Sequence, residues 1–295
     1  MREKGQTPLP ALVTLDSAEE YSIPSRETGR SIPCRILRPQ NQSNPPKAVF
    51  MHIHGGGWVL SSERAQDIVL QDIATTNNIL CVSVGYRLAP ECPFPAAPDD
   101  CLDAAQWLIE HAQTRLGAPL AFIGGESAGA HLALLTCLNL LQSPVQKYRD
   151  HKLGGLILHF GAYDLTLNTP SAHTFSPPDT LVLDLDLMQH YVAVTVPGLS
   201  TAQLRDPAIS PLFADYNGPE LRGRLPPALF TCGTADVLLD DTVFMAAKWM
   251  AAGAQTEVLL VPGGCHGYCM FPRGTKGAQA EVAMDRVAEF VGRYI

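Results

Sequence analysis

Basic residues are scarce: 21 Lys and Arg stand against 29 Asp and Glu, giving a formal net charge of −8. Proteins that grip nucleic acid draw much of their affinity from basic side chains that neutralise phosphates, so this balance argues against a nucleic-acid partner. Long apolar runs are also missing. No stretch approaches the ~18 consecutive apolar residues that cross a bilayer, and the opening MREKGQTPLP lacks the apolar segment of a secretory leader. A soluble, cytoplasmic protein without a membrane partner is the expectation. Charged residues are only 17% of the chain against 46% hydrophobic, too apolar for disorder and enough for a large core. Internal repeats and heptad runs are absent, which excludes solenoids and coiled coils. Cysteine is not scarce, with eight in the chain, but Cys81, Cys137 and Cys232 sit in the apolar runs NILCVSV, LALLTCLNL and PPALFTC. Such positions suit reduced, buried thiols. Cys265 and Cys269 flank His266, yet no second ligand cluster has zinc-like spacing, so no metal is expected.

What the chain does have is alternation. Short β-rich runs recur at 32–38, 48–54, 79–84, 120–124, 154–160, 226–232 and 256–261, and stretches with helical spacing lie at 62–76, 98–115, 128–142, 240–252 and 276–294. Strands alternating with helices imply an α/β fold, a mostly parallel sheet covered on both faces. The stretch 128–142 is apolar nearly all round and should be the most buried helix. From Tyr163 to Arg205 the pattern breaks into Pro-rich punctuation with a weakly helical middle after Leu185, too long for a plain loop. It reads as a cap inserted over the sheet and joined by the first 18 residues. The core is then 19–162 with 206–295, and the cap 1–18 with 163–205.

The strongest chemical signal is Gly125-Glu126-Ser127-Ala128-Gly129, between the run LAFIG and the helix-like AHLALLTCLNLL. Gly-x-Ser-x-Gly between strand and helix is a nucleophile elbow, whose sharp turn lifts the serine oxygen above the sheet edge. The N–H of Ala128 starts a helix, where donors are unpaired and negative charge is favoured. His54-Gly55-Gly56-Gly57-Trp58 follows the run AVFMHIH. Successive glycines suit a main chain that must approach an oxyanion, so Gly56 and Gly57 with Ala128 make an oxyanion hole. His54, Trp58 and Glu126 beside these motifs are candidates for substrate contact. A serine nucleophile needs a base and an acid, and this fold places them in the order Ser, acid, His. His266 lies in a loop after TEVLLV, and Asp236 in the loop after PPALFTC, with Asp240 as runner-up because it falls where a helix starts.

With these pieces in place the chain resembles the hormone-sensitive-lipase-like esterases of the α/β-hydrolase superfamily. The resemblance rests on HGGGW at 54–58, YRLAPECPFPAAPDD at 86–100, GESAG at 125–129, DPAISPLFAD at 206–215, Asp236 before LLDD, and CHGYCMFP at 265–272. It implies an α/β-hydrolase fold with an eight-stranded sheet, a helical cap, no cofactor, and hydrolysis of acyl esters by Ser127, Asp236 and His266 through an acyl-enzyme. It also implies that Tyr86, Arg87 and Glu91 brace the site. Three departures stand out: Glu126 where Asp or Thr is commoner, Ala130 where glycine is usual, and a short N-terminal extension. The expected substrate is a soluble short- or medium-chain ester or a small secondary-metabolite ester. An arylformamidase-like amidase, an acyltransferase and a non-catalytic receptor on the same fold are the rival readings, and His266 counts against the last. A homodimer stays open, since such relatives often pair through the last strand and helix.

Overall fold

A strand buried on both faces must be apolar at every position, and VFMHI, LCVSV and GLILH come close to that pattern. The computed structural model describes residues 9–40, 44–175, 181–276 and 278–295. Its strands are β1 (Glu19–Pro24), β2 (Ser31–Leu37), β3 (Val49–Ile53), β4 (Leu80–Val84), β5 (Leu120–Glu126), β6 (Gly155–His159), β7 (Ala228–Ala235) and β8 (Thr256–Cys265). They form one eight-stranded sheet in the order β1-β2-β4-β3-β5-β6-β7-β8. The β1–β2 and β2–β4 pairs are antiparallel and the others parallel. Between the strands run α1 (Asp67–Asn77), α2 (Ala96–Arg115), α3 (Ala128–Leu141), α4 (Gln146–Arg149), α5 (Pro170–Thr174), α6 (Leu185–Thr195), α7 (Thr201–Leu204), α8 (Leu239–Ala251) and α9 (Ala280–Tyr294). None is long and apolar enough to cross a membrane among the described residues.

Successive side chains along each strand feed opposite cores. Val49, Met51 and Ile53 lie on the core face covered by α2 and α3, whereas Phe50 joins Leu70 and Ile73 of α1 and Val287 and Phe290 of α9. In α3 every residue but Asn139 is buried, as its all-round apolar sequence predicts. β1 is absent from the sequence reading because EEYSIP is largely exposed, an edge strand with no apolar alternation to betray it. α1 begins at Asp67, later than expected, because Ser62 to Gln66 form turns.

The segment read as a cap carries α5, α6 and α7, with 176–180 outside the described residues. Met188, Val192 and Thr195 recur at helical spacing on the buried side of α6. Asp241 of α8 pins the start of the segment, accepting the N–H groups of Tyr163 at 2.6 Å and Asp164 at 2.8 Å and the Thr169 hydroxyl at 3.2 Å. The C-terminal end of α6 is tied by the Phe94 N–H to Thr195 O bond of 2.9 Å. Of the first 18 residues, 1–8 lie outside the described residues. Leu15 and Ala18 pack on the α1–α9 face, whereas Leu9 lies against Gly267, next to His266.

The last two strands run further than their sequences suggest. Gly263-Gly264 reads as a breaker, yet beyond a register shift at Gly233 the ladder resumes and pairs Ala235 with Cys265. This continuation brings the next residues, Asp236 and His266, side by side. It requires glycine at 233, where a Cβ would lie 2.0 Å from Gly264 O. Gly233→Ala should therefore lower stability by about 1–3 kcal/mol, read by urea denaturation; a change below about 0.5 kcal/mol, the scatter of surface substitutions, would contradict this packing.

Candidate active site

Ser127 sits between β5 and α3 with φ 56° and ψ −121°, a conformation that non-glycine residues seldom adopt. The turn is held because its backbone lies flush against the end of β3: a Cβ at Gly125 or Gly129 would stand 2.0 or 1.9 Å from Ile53 O. The Ser127 N–H donates to His159 O at 2.9 Å. Ser127 Oγ thereby stands at the C-terminal edge of the sheet, 3.0 Å from His266 Nε2. His266 Nδ1 is 2.9 Å from Asp236 Oδ2, and Asp236 Oδ1 accepts the Leu238 N–H at 2.9 Å. Asp236 accepts the hydrogen bond from Nδ1–H, which keeps the proton on Nδ1, so Nε2 is left to accept from the serine hydroxyl. The Phe160 ring meets the imidazole edge-on at 4.8 Å and shields it.

The glycine loop after β3 lies beside the elbow. Gly55 N–H donates to Glu126 Oε1 at 3.0 Å, while the N–H groups of Gly56, Gly57 and Ala128 have no acceptor among the described residues. Gly57 has φ 60°, and a Cβ there would lie 2.3 Å from Tyr191 of α6. α6 thus rests directly on this loop.

The other two aspartates near Asp236 do other work. Asp240 does not cap α8, whose N-cap is Leu238 without a side-chain bond; it accepts the Ser171 N–H at 2.7 Å. Asp241 holds the start of the inserted segment, and burial pushes its carboxyl up to about 7 against the lowering by the Asp164 and Tyr163 N–H groups.

His54, Trp58 and Glu126, expected to meet substrate, are buried and make bracing contacts in the structure. Trp58 donates its indole N–H to His131 Nδ1 at 3.1 Å, and His131 Nε2 reaches Ile209 O at 2.8 Å. His54 stacks on Tyr86 with 4.3 Å between ring centroids and bonds Gly55 O through Nδ1 at 2.8 Å. Glu126 faces inward to His52 and Gln66. Burial lowers His54, His131 and His159 to about 4, so these imidazoles are neutral near pH 7. Burial alone raises the Glu126 carboxyl, but the facing His52 and the Gly55 N–H outweigh it and hold it at about 2. Tyr86 braces as expected, donating to His54 O at 2.9 Å, and Arg87 grips Asp100 through Nε and Nη2 at 3.0 and 2.9 Å. Glu91 is exposed and has no partner among the described residues, so it braces nothing. His52, Gln66, His131 and Tyr191 were not singled out from the sequence. Strand alternation is the signal that finds His52, which shares the face of Phe50.

The chain is similar in sequence and fold to known hydrolases. A family model described as alpha/beta hydrolase fold matches residues 50–270. A carboxylesterase of Mycobacterium tuberculosis is 33% identical over 263 residues, covering 85% of this chain and 77% of that one. An ethyl acetate hydrolase of Pseudomonas putida is 28% identical over 258 residues, covering 86% and 76%. A crystal structure of a hormone-sensitive lipase from a metagenome library superposes with a TM-score of 0.79 at 25% identity, over 100% of this chain and 91% of that chain.

The lowered Glu126 carboxyl has a consequence for stability. A carboxyl depressed from 4.5 to about 2 stabilises the fold fully above pH 4.5, and that contribution is lost as pH falls through about 2. The stability gap between the native protein and Glu126→Gln should therefore narrow between pH 5 and pH 3 in denaturant titrations. A gap that is constant or widens on acidification would contradict the ionised, paired state of Glu126.

Proposed function

Because this chain belongs to the hormone-sensitive-lipase-like esterases of the α/β-hydrolase superfamily, whose fold model spans residues 50–270, we propose that it hydrolyses soluble short- or medium-chain carboxylic esters through an acyl-enzyme on Ser127. The observation that carries the reading is the unbroken chain from Ser127 Oγ to His266 at 3.0 Å and from His266 to Asp236 at 2.9 Å. His266 Nε2 takes the serine proton as Oγ attacks the ester carbonyl, and the Asp236 carboxylate stabilises the imidazolium that forms. The tetrahedral oxyanion develops against the Gly56, Gly57 and Ala128 N–H groups, which are free to donate to it. His266 then returns the proton to the leaving alcohol. Water follows the same path: His266 deprotonates it, it attacks the acyl carbonyl, and Ser127 leaves with the proton.

Substrate size follows from the cap. Tyr191 lies on Gly57, next to the proposed oxyanion site, so bulky groups on that side meet an aromatic ring held by α6. The ethyl acetate hydrolase among the relatives supports a small ester as well. The amidase reading is tested by N-formylkynurenine, which should turn over far more slowly than p-nitrophenyl butyrate. With the butyrate ester, Ser127→Ala should lose about 10⁴-fold or more in kcat while keeping its thermal unfolding midpoint; retained turnover in a folded variant would overturn the covalent mechanism.

The acid is tested by ranking two amides. Asp236→Asn should reduce kcat by about 10⁴-fold through the wrong imidazole tautomer. Asp240→Asn should keep near-native kcat, since its amide oxygen can still accept from Ser171 N–H, and change stability by no more than about 1 kcal/mol. The reverse ranking would move the acid to Asp240.

A further inference from the structure

Four polar side chains meet behind the nucleophile. Alternation along the strands sends Ser83 of β4, His52 of β3, Glu126 of β5 and His159 of β6 to the α1–α9 face, and the register sets His52 beside Ser83 and Glu126 beside His159. All four are buried next to apolar α1 and α9 residues, where an unpaired polar group is costly. Each has found a partner. Glu126 Oε2 lies 2.8 Å from His52 Nε2, and His52 Nδ1 lies 3.0 Å from Ser83 Oγ. Glu126 Oε1 accepts from Gln66 Nε2 at 3.2 Å and from the Gly55 N–H at 3.0 Å. His159 Nδ1 lies 2.7 Å from Thr231 Oγ1.

The bond to Gly55 connects two parts of the active site. Gly55 immediately precedes Gly56 and Gly57, and Glu126 immediately precedes Ser127. One carboxylate therefore joins the nucleophile elbow to the oxyanion loop. We propose that Glu126, oriented by His52 and Gln66, is a positioning residue that sets the oxyanion donors against Ser127 and so acts on kcat without touching substrate. This rests on the reading of Ser127 as nucleophile and of Gly56 and Gly57 as oxyanion donors. Oxyanion stabilisation depends on donors fixed at hydrogen-bonding distance from where charge develops. A loop released by an ångström forfeits it, although ground-state substrate binding is little altered.

The device works through geometry, which an amide of the same length can imitate. In Glu126→Gln the side-chain oxygen still accepts from Gly55 and Gln66, and the NH₂ donates to His52 Nε2 once the imidazole proton moves to Nδ1, where it donates to Ser83 Oγ. Alanine offers neither group.

The test measures p-nitrophenyl butyrate kinetics, thermal unfolding and the affinity of a trifluoromethyl ketone, whose hemiketal oxyanion with Ser127 occupies the hole. Glu126→Ala should lose about 10²-fold in kcat with KM within about threefold, and bind the ketone more weakly by a similar factor. Glu126→Gln should recover at least about tenfold of the lost kcat. Should the Ala variant fail to fold, Glu126→Asp takes its place: the charge still faces His52, but one methylene less draws the carboxylate away from Gly55, and the same loss of kcat is expected. A folded Ala or Asp variant with near-native kcat, a loss confined to KM, or unchanged ketone affinity would overturn the proposal. The function itself is judged separately, by native turnover of the ester and its loss in Ser127→Ala.

Discussion

Ser127 is held at φ 56°, where L residues are strained, and much of the surrounding structure serves to keep it there. The strain is sustained by backbone packed on backbone: Gly125 and Gly129 admit Ile53 O into space that any side chain would fill. Because β3 supplies that carbonyl, the strand that ends in the glycine loop also supports the elbow. The proposed nucleophile and oxyanion donors are therefore built on adjacent strands in fixed register, His52 opposite Gly124 and Ile53 opposite Gly125. Rigid neighbours of this kind hold a site more accurately than free loops do.

The other half of the constellation arrives by a different route. Asp236 and His266 are 30 residues apart in sequence and meet because β7 and β8 continue their pairing beyond Gly233. The polar groups behind the site divide the remaining work. His131 ties Trp58 to the chain at Ile209, Tyr86 stacks under His54, and Glu126 ties Gly55 to the elbow. Neutral, buried imidazoles serve as fixed donors and acceptors there, while His266, which bonds Ser127, stands where it can exchange a proton.

The elbow, the glycine loop and the order Ser127, Asp236, His266 were legible in sequence because each follows a local rule about what must end a strand or begin a helix. The sheet was legible from its apolar runs except at β1, whose exposed residues leave no trace of pairing. The uses of Trp58 and Glu126 were not legible. Both neighbour a motif and could face either way; the partners that decide it, His131 and His52, lie 73 and 74 residues away. The same holds for Asp240 and Asp241, whose acceptor roles are defined by the inserted segment from Tyr163 to Ser171. Local chemistry announces a catalytic turn, but what braces it depends on tertiary register.

The most direct measurement of the central claim is the site of covalent labelling by a fluorophosphonate, mapped by peptide mass spectrometry in the native protein and in His266→Ala. The account predicts a single adduct on Ser127, formed at a rate that falls by orders of magnitude when His266 is removed. An adduct on another residue, or labelling of Ser127 at the native rate without His266, would contradict it.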